Sequence, residues 1–90
     1  MIIRWTPTGT RTRFAQLDYI ARENPQAARL DEEIESQIDL LADHANVGRI
    51  GRLPGTREMV IARTPFIAVY RVMPGEVQIL RILHGARAWK

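Results

Sequence analysis

One helical stripe restricts this chain more than any other feature. Ala27, Leu30, Ile34, Ile38, Leu41 and Ala45 recur at spacings of three and four, which places them on one face of a helix. Such a face must be buried against another element. With 90 residues, the chain has room for one core that takes roughly 60–65% of the unfolded surface out of water. A single domain over residues 1–90 is therefore expected, with no space for separate cofactor and substrate domains. Cysteine is absent, which removes disulfides, thiolate catalysis and Cys-ligated zinc or iron–sulfur sites. No metal and no cofactor is expected. No apolar run approaches the ~18 residues of a membrane span. The opening Met1-Ile2-Ile3-Arg4-Trp5 lacks the basic leader and long apolar block of a signal peptide. A cytoplasmic location without membrane association is the expectation.

The rest of the chain supplies what the stripe packs on. Residues 2–5 read as a short strand ended by Thr6-Pro7. Thr8, Gly9 and Thr10 offer N-caps for a helix over about 10–22, with Phe14, Leu17, Ile20 and Ala21 on one face. Asn24-Pro25 reads as a cap followed by proline at the first helical position. The second helix should run to about 43–45 and form an antiparallel hairpin with the first. Residues 46–56 hold Gly48, Gly51, Pro54 and Gly55 and read as an irregular loop. Strands follow over 58–62, 66–73 and 77–84, the last two joined at Pro74-Gly75 into an antiparallel hairpin. The expected fold is α+β: a β-α-α-β-β-β order with a small, mostly antiparallel sheet packed against an N-terminal helical hairpin.

Pairing Met73 with Glu76 sorts the final hairpin into two faces. Phe66, Ala68, Tyr70, Val72, Val77, Ile79, Arg81 and Leu83 make the more apolar one, expected to pack on the helices. Ile67, Val69, Arg71, Met73, Glu76, Gln78, Leu80, Ile82 and His84 make a mixed face that reads as a partner surface. A bulge would shift this assignment.

Charge divides unevenly along the chain. Residues 1–45 carry five arginines against eight carboxylates, a net −3. Residues 46–90 carry Arg49, Arg52, Arg57, Arg63, Arg71, Arg81, Arg87 and Lys90 against only Glu58 and Glu76, a net +6. That asymmetry points to an acidic or polyanionic partner on one face. The acids between Asp31 and Asp43 spread around a helix rather than converge, so they read as a solvated face and not a site for a hard cation. The glycine-rich stretch 48–55 lacks a phosphate-binding pattern and reads as a linker displaying Arg49 and Arg52. Trp5 and Phe66 read as core, Trp89 as core or partner anchor, and His44 as a helix C-terminal residue placed where a cation is favoured.

The order and punctuation resemble the RelE/ParE superfamily of toxins from type II toxin–antitoxin systems, over essentially the whole chain. The carriers are Ile3-Arg4-Trp5-Thr6, Tyr19-Ile20-Ala21 with Asn24-Pro25, Ala27-Ala28-Arg29, and the loop from Gly48 through Gly51-Arg52-Leu53-Pro54-Gly55 to Glu58. Val69-Tyr70-Arg71-Val72 and the ending Ile82-Leu83-His84-Gly85-Ala86-Arg87-Ala88-Trp89 complete them. The Gly-Arg-x-Gly-Arg loop and the final His-Gly-Ala-Arg look most like the ParE branch.

The resemblance implies one fold with two mechanisms, so residues must choose between them. RelE-like members cut mRNA on the ribosome without a metal; ParE-like members inhibit DNA gyrase. The nuclease branch carries an arginine three residues before the strand tyrosine, where this chain has Ile67, and an isoleucine cannot neutralise a phosphate. The terminal catalytic tyrosine of some nuclease members is missing as well. Should the chain be a nuclease, Arg71, Arg81, His84 and Arg87 are its catalytic candidates. A ParE-like inhibitor is the favoured expectation, not an enzyme, with plasmid stabilisation and growth arrest as its setting. An inactive member retained as a binding partner is a third reading, and it would cause no growth arrest. The resemblance further implies a cognate antitoxin with a DNA-binding N-terminal domain and a C-terminal segment disordered when free. Arg49, Arg52, Arg57, Arg63, Arg71, Arg87 and Trp89 are the expected antitoxin- or target-binding residues, and DNA is reached only through the antitoxin.

Overall fold

The computed structural model describes residues 1–22 and 24–85. Strand β1 (Ile2–Trp5) leads into helix α1 (Pro7–Ala21), and helix α2 (Ala27–Asp39) continues as a 3-10 turn (Leu40–Ala42). Four strands follow: β2 (Arg49–Ile50), β3 (Arg57–Val60), β4 (Phe66–Met73) and β5 (Glu76–His84). They form one sheet in the order β1-β5-β4-β3-β2, in which only β1 and β5 run parallel. The α+β class and the helical hairpin on one sheet face agree with the sequence reading. The two-residue β2 is an addition, lying in what reads as loop.

Helix α1 begins earlier than its sequence indicates. Pro7 ends the strand, and it also occupies the first helical turn, where its missing N–H is no loss. The cap is Thr6, whose hydroxyl accepts from Gly9 N at 2.9 Å, in place of the expected Thr8, Gly9 or Thr10. Helix α2 begins later than expected. Asn24 Oδ1 accepts from Gln26 N at 2.9 Å, closing a turn across Pro25 rather than capping a helix. Leu30, Ile34, Ile38 and Leu41 of the stripe are buried, and Ala45 packs against the same core. They meet Ile61, Phe66, Ala68, Tyr70, Val77, Ile79 and Ile82 from the sheet.

The hairpin pairs Met73 with Glu76, as the alternation predicts, but its register breaks further along. Tyr70 faces Ile79 and Val69 faces Arg81, so Leu80 is an extra residue in β5. Beyond this bulge the faces exchange. Ile82 turns into the core, fully buried, and Arg81 and Leu83 turn out of it, reversing the expected placement of all three. His84 moves as well: it pairs with Phe66 and meets its ring edge-on at 6.5 Å, on the helix side of the sheet.

Bonds to α1 hold the bulge. Strand β1 covers the outer edge of β5 only as far as Ile79. There the Thr6 hydroxyl donates to Ile79 O at 2.9 Å. Two residues past the bulge, Ile82 N donates to Thr12 Oγ1 at 2.9 Å. Threonine side chains thus take over where strand pairing stops and satisfy Ile79 O and Ile82 N. The approach requires Gly9, because a Cβ there would lie 2.3 Å from Ile79 O.

A second clasp fixes the passage from the helices to the sheet. Tyr70, fully buried, donates to Ala45 O at 2.7 Å and accepts from Gly48 N at 2.9 Å. Burial pushes its phenol pKa up, against smaller opposing effects of the Gly48 N–H and Arg57. Arg57, paired with Tyr70 across the strands, donates to Gly48 O at 2.7 Å.

These contacts set expected outcomes for two variants in thermal unfolding. Gly9→Ala forces α1 away from β5, an overpacking that costs about 1–3 kcal/mol and lowers Tm by at least ~4 °C in a domain of this size. Tyr70→Phe strands Ala45 O and Gly48 N and costs about 1–3 kcal/mol. A Gly9→Ala protein that melts with the parent would contradict the close approach.

Candidate partner-binding surface

The helices cover one face of the sheet and leave the other to be built from what points away from them. Residues directly opposite on neighbouring strands share a face, so the register lays out that surface as rows. Arg49, Glu58, Val69 and Arg81 form one row across four strands. Arg71, Gln78 and Arg4 form a second across β4, β5 and β1. Val60, Ile67 and Leu83 form a third. Four arginines from separate strands therefore share a face with apolar side chains, a combination suited to an acidic and apolar partner. Arg71 donates to Gln78 Oε1 at 2.9 Å, and Arg4 lies 3.5 Å from Glu76 Oε2. Both guanidinium groups stay exposed enough to be met by a second molecule.

Next to Arg81 the face sinks into a cleft of about 550 Å³ lined by Thr6, Thr8, Leu53, Val69, Leu80 and Leu83. The bulge creates it: Leu80 and Arg81 both border the cleft, and the Thr6 hydroxyl that supports the bulge lies at its rim. Leu53 arrives from the loop between β2 and β3.

Glu58 anchors that loop. It is a charged residue with only 3% of its surface exposed. Its Oε1 accepts from Arg49 Nη2 at 3.1 Å and its Oε2 from Arg52 N at 3.0 Å. Desolvation alone would raise its pKa. The Arg52 N–H and the Arg49 guanidinium outweigh it and hold the carboxyl below its ordinary range. Thr56 tightens the turn beyond: its hydroxyl donates to Leu53 O at 2.7 Å and Gly51 N donates to its carbonyl at 2.8 Å.

The structure gathers some of the expected binding residues and disperses others. Arg49, Arg71 and Arg81 share the open face, and the Arg52 backbone is tied to Glu58 there. Arg57 lies on the opposite side, clasping Gly48 O. Arg63 lies in the connection between β3 and β4, bound to Glu33 of α2 at 2.7 Å, with its backbone at a φ of 65°, a strained value for a non-glycine residue. Arg87 and Trp89 lie outside the described residues. Of the nuclease candidates, Arg71 and Arg81 share the open face, and His84 is on the other side of the sheet against Phe66. Ile67 is buried on the open face, in the row of Leu83.

The acidic helix face is matched from within the chain. Arg13 binds Asp31 at 2.7 Å and Glu35 at 2.8 Å and stacks over Trp5 at 4.8 Å. The Arg63 bond, against a smaller desolvation effect, holds the Glu33 pKa low. Among the described residues no cluster of His, Cys, Asp and Glu could hold a metal, and no helix is long and apolar enough to cross a membrane. Sequence reasoning missed Glu58, Leu53, Arg4 and the two threonines of the cleft. Glu58 had a signal: it is one of two acids among the eight cations of its half.

Comparison with known proteins matches the sequence and fold of this chain to toxins of type II toxin–antitoxin systems. The sequence profile described as ParE toxin of type II toxin–antitoxin system, parDE, matches residues 3–89. Y4kP of Sinorhizobium fredii, named as a candidate toxin, is 38% identical over 88 residues, covering 97% of this chain and 91% of that protein. Toxin RelE2 of Caulobacter vibrioides is 34% identical over 84 residues, covering 92% and 93%. A chain from a solved structure, the chromosomal ParDE system of P. aeruginosa, superimposes with a TM-score of 0.83 at 30% identity, covering 93% of this chain and 95% of that one.

The lowered pKa values of Glu58 on the open face and Glu33 on the helix face give the fold an acid signature. Each contributes stability above about pH 4.5, and that contribution is lost as pH falls through the depressed folded-state value. Denaturant midpoints should drop between pH 5 and pH 3, and Glu58→Gln should be less stable at neutral pH and show a shallower drop. Parallel curves for parent and variant would mean that Glu58 is not held as described.

Proposed function

The chain belongs to the ParE toxin family of type II toxin–antitoxin systems, and from that premise we propose that it acts by gripping macromolecules on its open sheet face. Its target in this reading is DNA gyrase. Its neutraliser is an antitoxin encoded beside it, with a DNA-binding N-terminal domain and an acidic, apolar C-terminal segment that orders on binding.

One observation carries the choice against RNA cleavage: the sheet separates His84 from Arg71 and Arg81. Metal-free cleavage needs an acid or base within hydrogen-bond reach of the phosphate that the arginines neutralise. On the open face, Glu58 has both oxygens engaged and a lowered pKa, which makes it a weak base. The position where the nuclease branch carries an arginine is the buried Ile67. What remains is a cationic and apolar surface, and arginine beside apolar contacts is a composition common at protein interfaces.

The name of the Caulobacter relative, RelE2, keeps cleavage as the second reading, and one pair of assays separates the two. The purified chain should abolish supercoiling by gyrase and leave ribosome-bound mRNA intact. Cleaved mRNA with normal supercoiling would overturn the proposal. Arg71→Glu combined with Arg81→Glu should slow association with the antitoxin by roughly tenfold at low salt and weaken its salt dependence. Unchanged association rates at both low and high salt would remove the open face as the receptor.

A further inference from the structure

Glu58 is the least exposed charged residue of the described chain, yet it lies on the face turned away from the helices. Its neighbours explain why. It pairs with Val69 on one side and Arg49 on the other. Its carboxylate accepts from the Arg52 N–H of the 51–56 turn at 3.0 Å. The next residue, Leu53, forms a wall of the cleft with Val69, Leu80 and Leu83.

Gly51 N to Thr56 O and the Thr56 N–H and hydroxyl to Leu53 O close the turn on itself. Strand β2 adds only two paired residues. Leu53 is 52% exposed and Ile50 75%, so neither is fixed by burial. One carboxylate thus supplies both a backbone tether for the turn and a charge partner for the Arg49 side chain.

We propose that Glu58 is a positioning residue that sets the binding cleft: it docks the 51–56 turn so that Leu53 closes the cleft beside Arg81 and Arg49 is held in the cationic row. A bound partner would never touch Glu58. It would meet Leu53 as an apolar wall and Arg49 and Arg81 as two cations in register across the sheet. This assignment rests on the reading of the open face as the partner surface. It adds a requirement of its own, that the face be assembled by a buried charge and not by apolar packing.

The test uses the full chain with Glu58→Gln, Leu53→Ala and, as a control, Met59→Ala, which removes a side chain from the helix side of the same strand. Amide exchange by NMR reads the tether directly. In Glu58→Gln the Arg52 amide should exchange at least about tenfold faster, and the amides of β4 and β5 should keep their protection. Contacts from the Leu53 methyls to Val69 and Leu80 should weaken. In cells, Glu58→Gln and Leu53→Ala should both relieve the growth arrest caused by the parent chain, and Met59→Ala should not. An Arg52 amide that stays protected in Glu58→Gln overturns the proposal. So does a released turn with undiminished growth arrest, or full arrest by Leu53→Ala, an exposed change that leaves Glu58 in place. A parent chain that causes no arrest would count against the toxin mechanism, and the exchange and contact measurements would still decide whether Glu58 builds the cleft.

Discussion

The extra residue in β5 is the constraint on which the rest of this structure depends. A two-residue period has no tolerance for a single insertion: everything after it changes face. Inserting Leu80 sends Ile82 into the core and Arg81 and Leu83 out of it. One backbone irregularity thus completes the hydrophobic core and supplies the cationic cleft. It persists because Thr6 donates to Ile79 O and Thr12 accepts from Ile82 N where the pairing with β1 ends, and because glycine at position 9 lets the helix approach. The start of the chain therefore decides the chemistry presented near its end.

Charge follows a similar division of labour. The −3 of the first half and the +6 of the second are partly reconciled inside the fold. Arg13 answers Asp31 and Glu35, and Arg63 crosses from the basic half to answer Glu33. Arg57 spends its donors on backbone carbonyls. The arginines left for outside use are fewer than the sequence count implies, and they are concentrated on one face. Positive charge there comes from Arg4 of the acidic half as well, so the boundary between cations on the open face and cations elsewhere does not follow the boundary between halves.

Much of this was legible in the sequence where local rules sufficed. The stripe from Leu30 to Leu41 has a spacing only a helix satisfies. Pro74-Gly75 marks the turn because Gly75 adopts a φ of 76°, open to glycine at little penalty. The bulge was not legible, since Ile79-Leu80-Arg81-Ile82 contains no breaker and its cause lies some 70 residues away in sequence, at Thr6 and Thr12. Thr6-Pro7 misled because proline ends a strand and starts a helix with equal ease. Strand β2 is too short to have a pattern and exists through its pairing with Glu58 and Arg57. Arg71 and Arg49 were readable as surface cations. Arg57 and Arg63 were not separable from them, because their partners are distant carbonyls and a distant carboxylate.

The helix-to-edge contact also bears on how the chain behaves on its own. A strand edge with free N–H and C=O groups is a template for another chain to extend. Past Ile79, β5 would offer such an edge, directly beside the apolar side chains of the cleft. Gly9 lets α1 press close to it, with Thr6 holding Ile79 O and Thr12 holding Ile82 N. By closing the adjacent edge with its first helix, the chain leaves its open face to side-chain contacts without offering its own copies an edge to pair with.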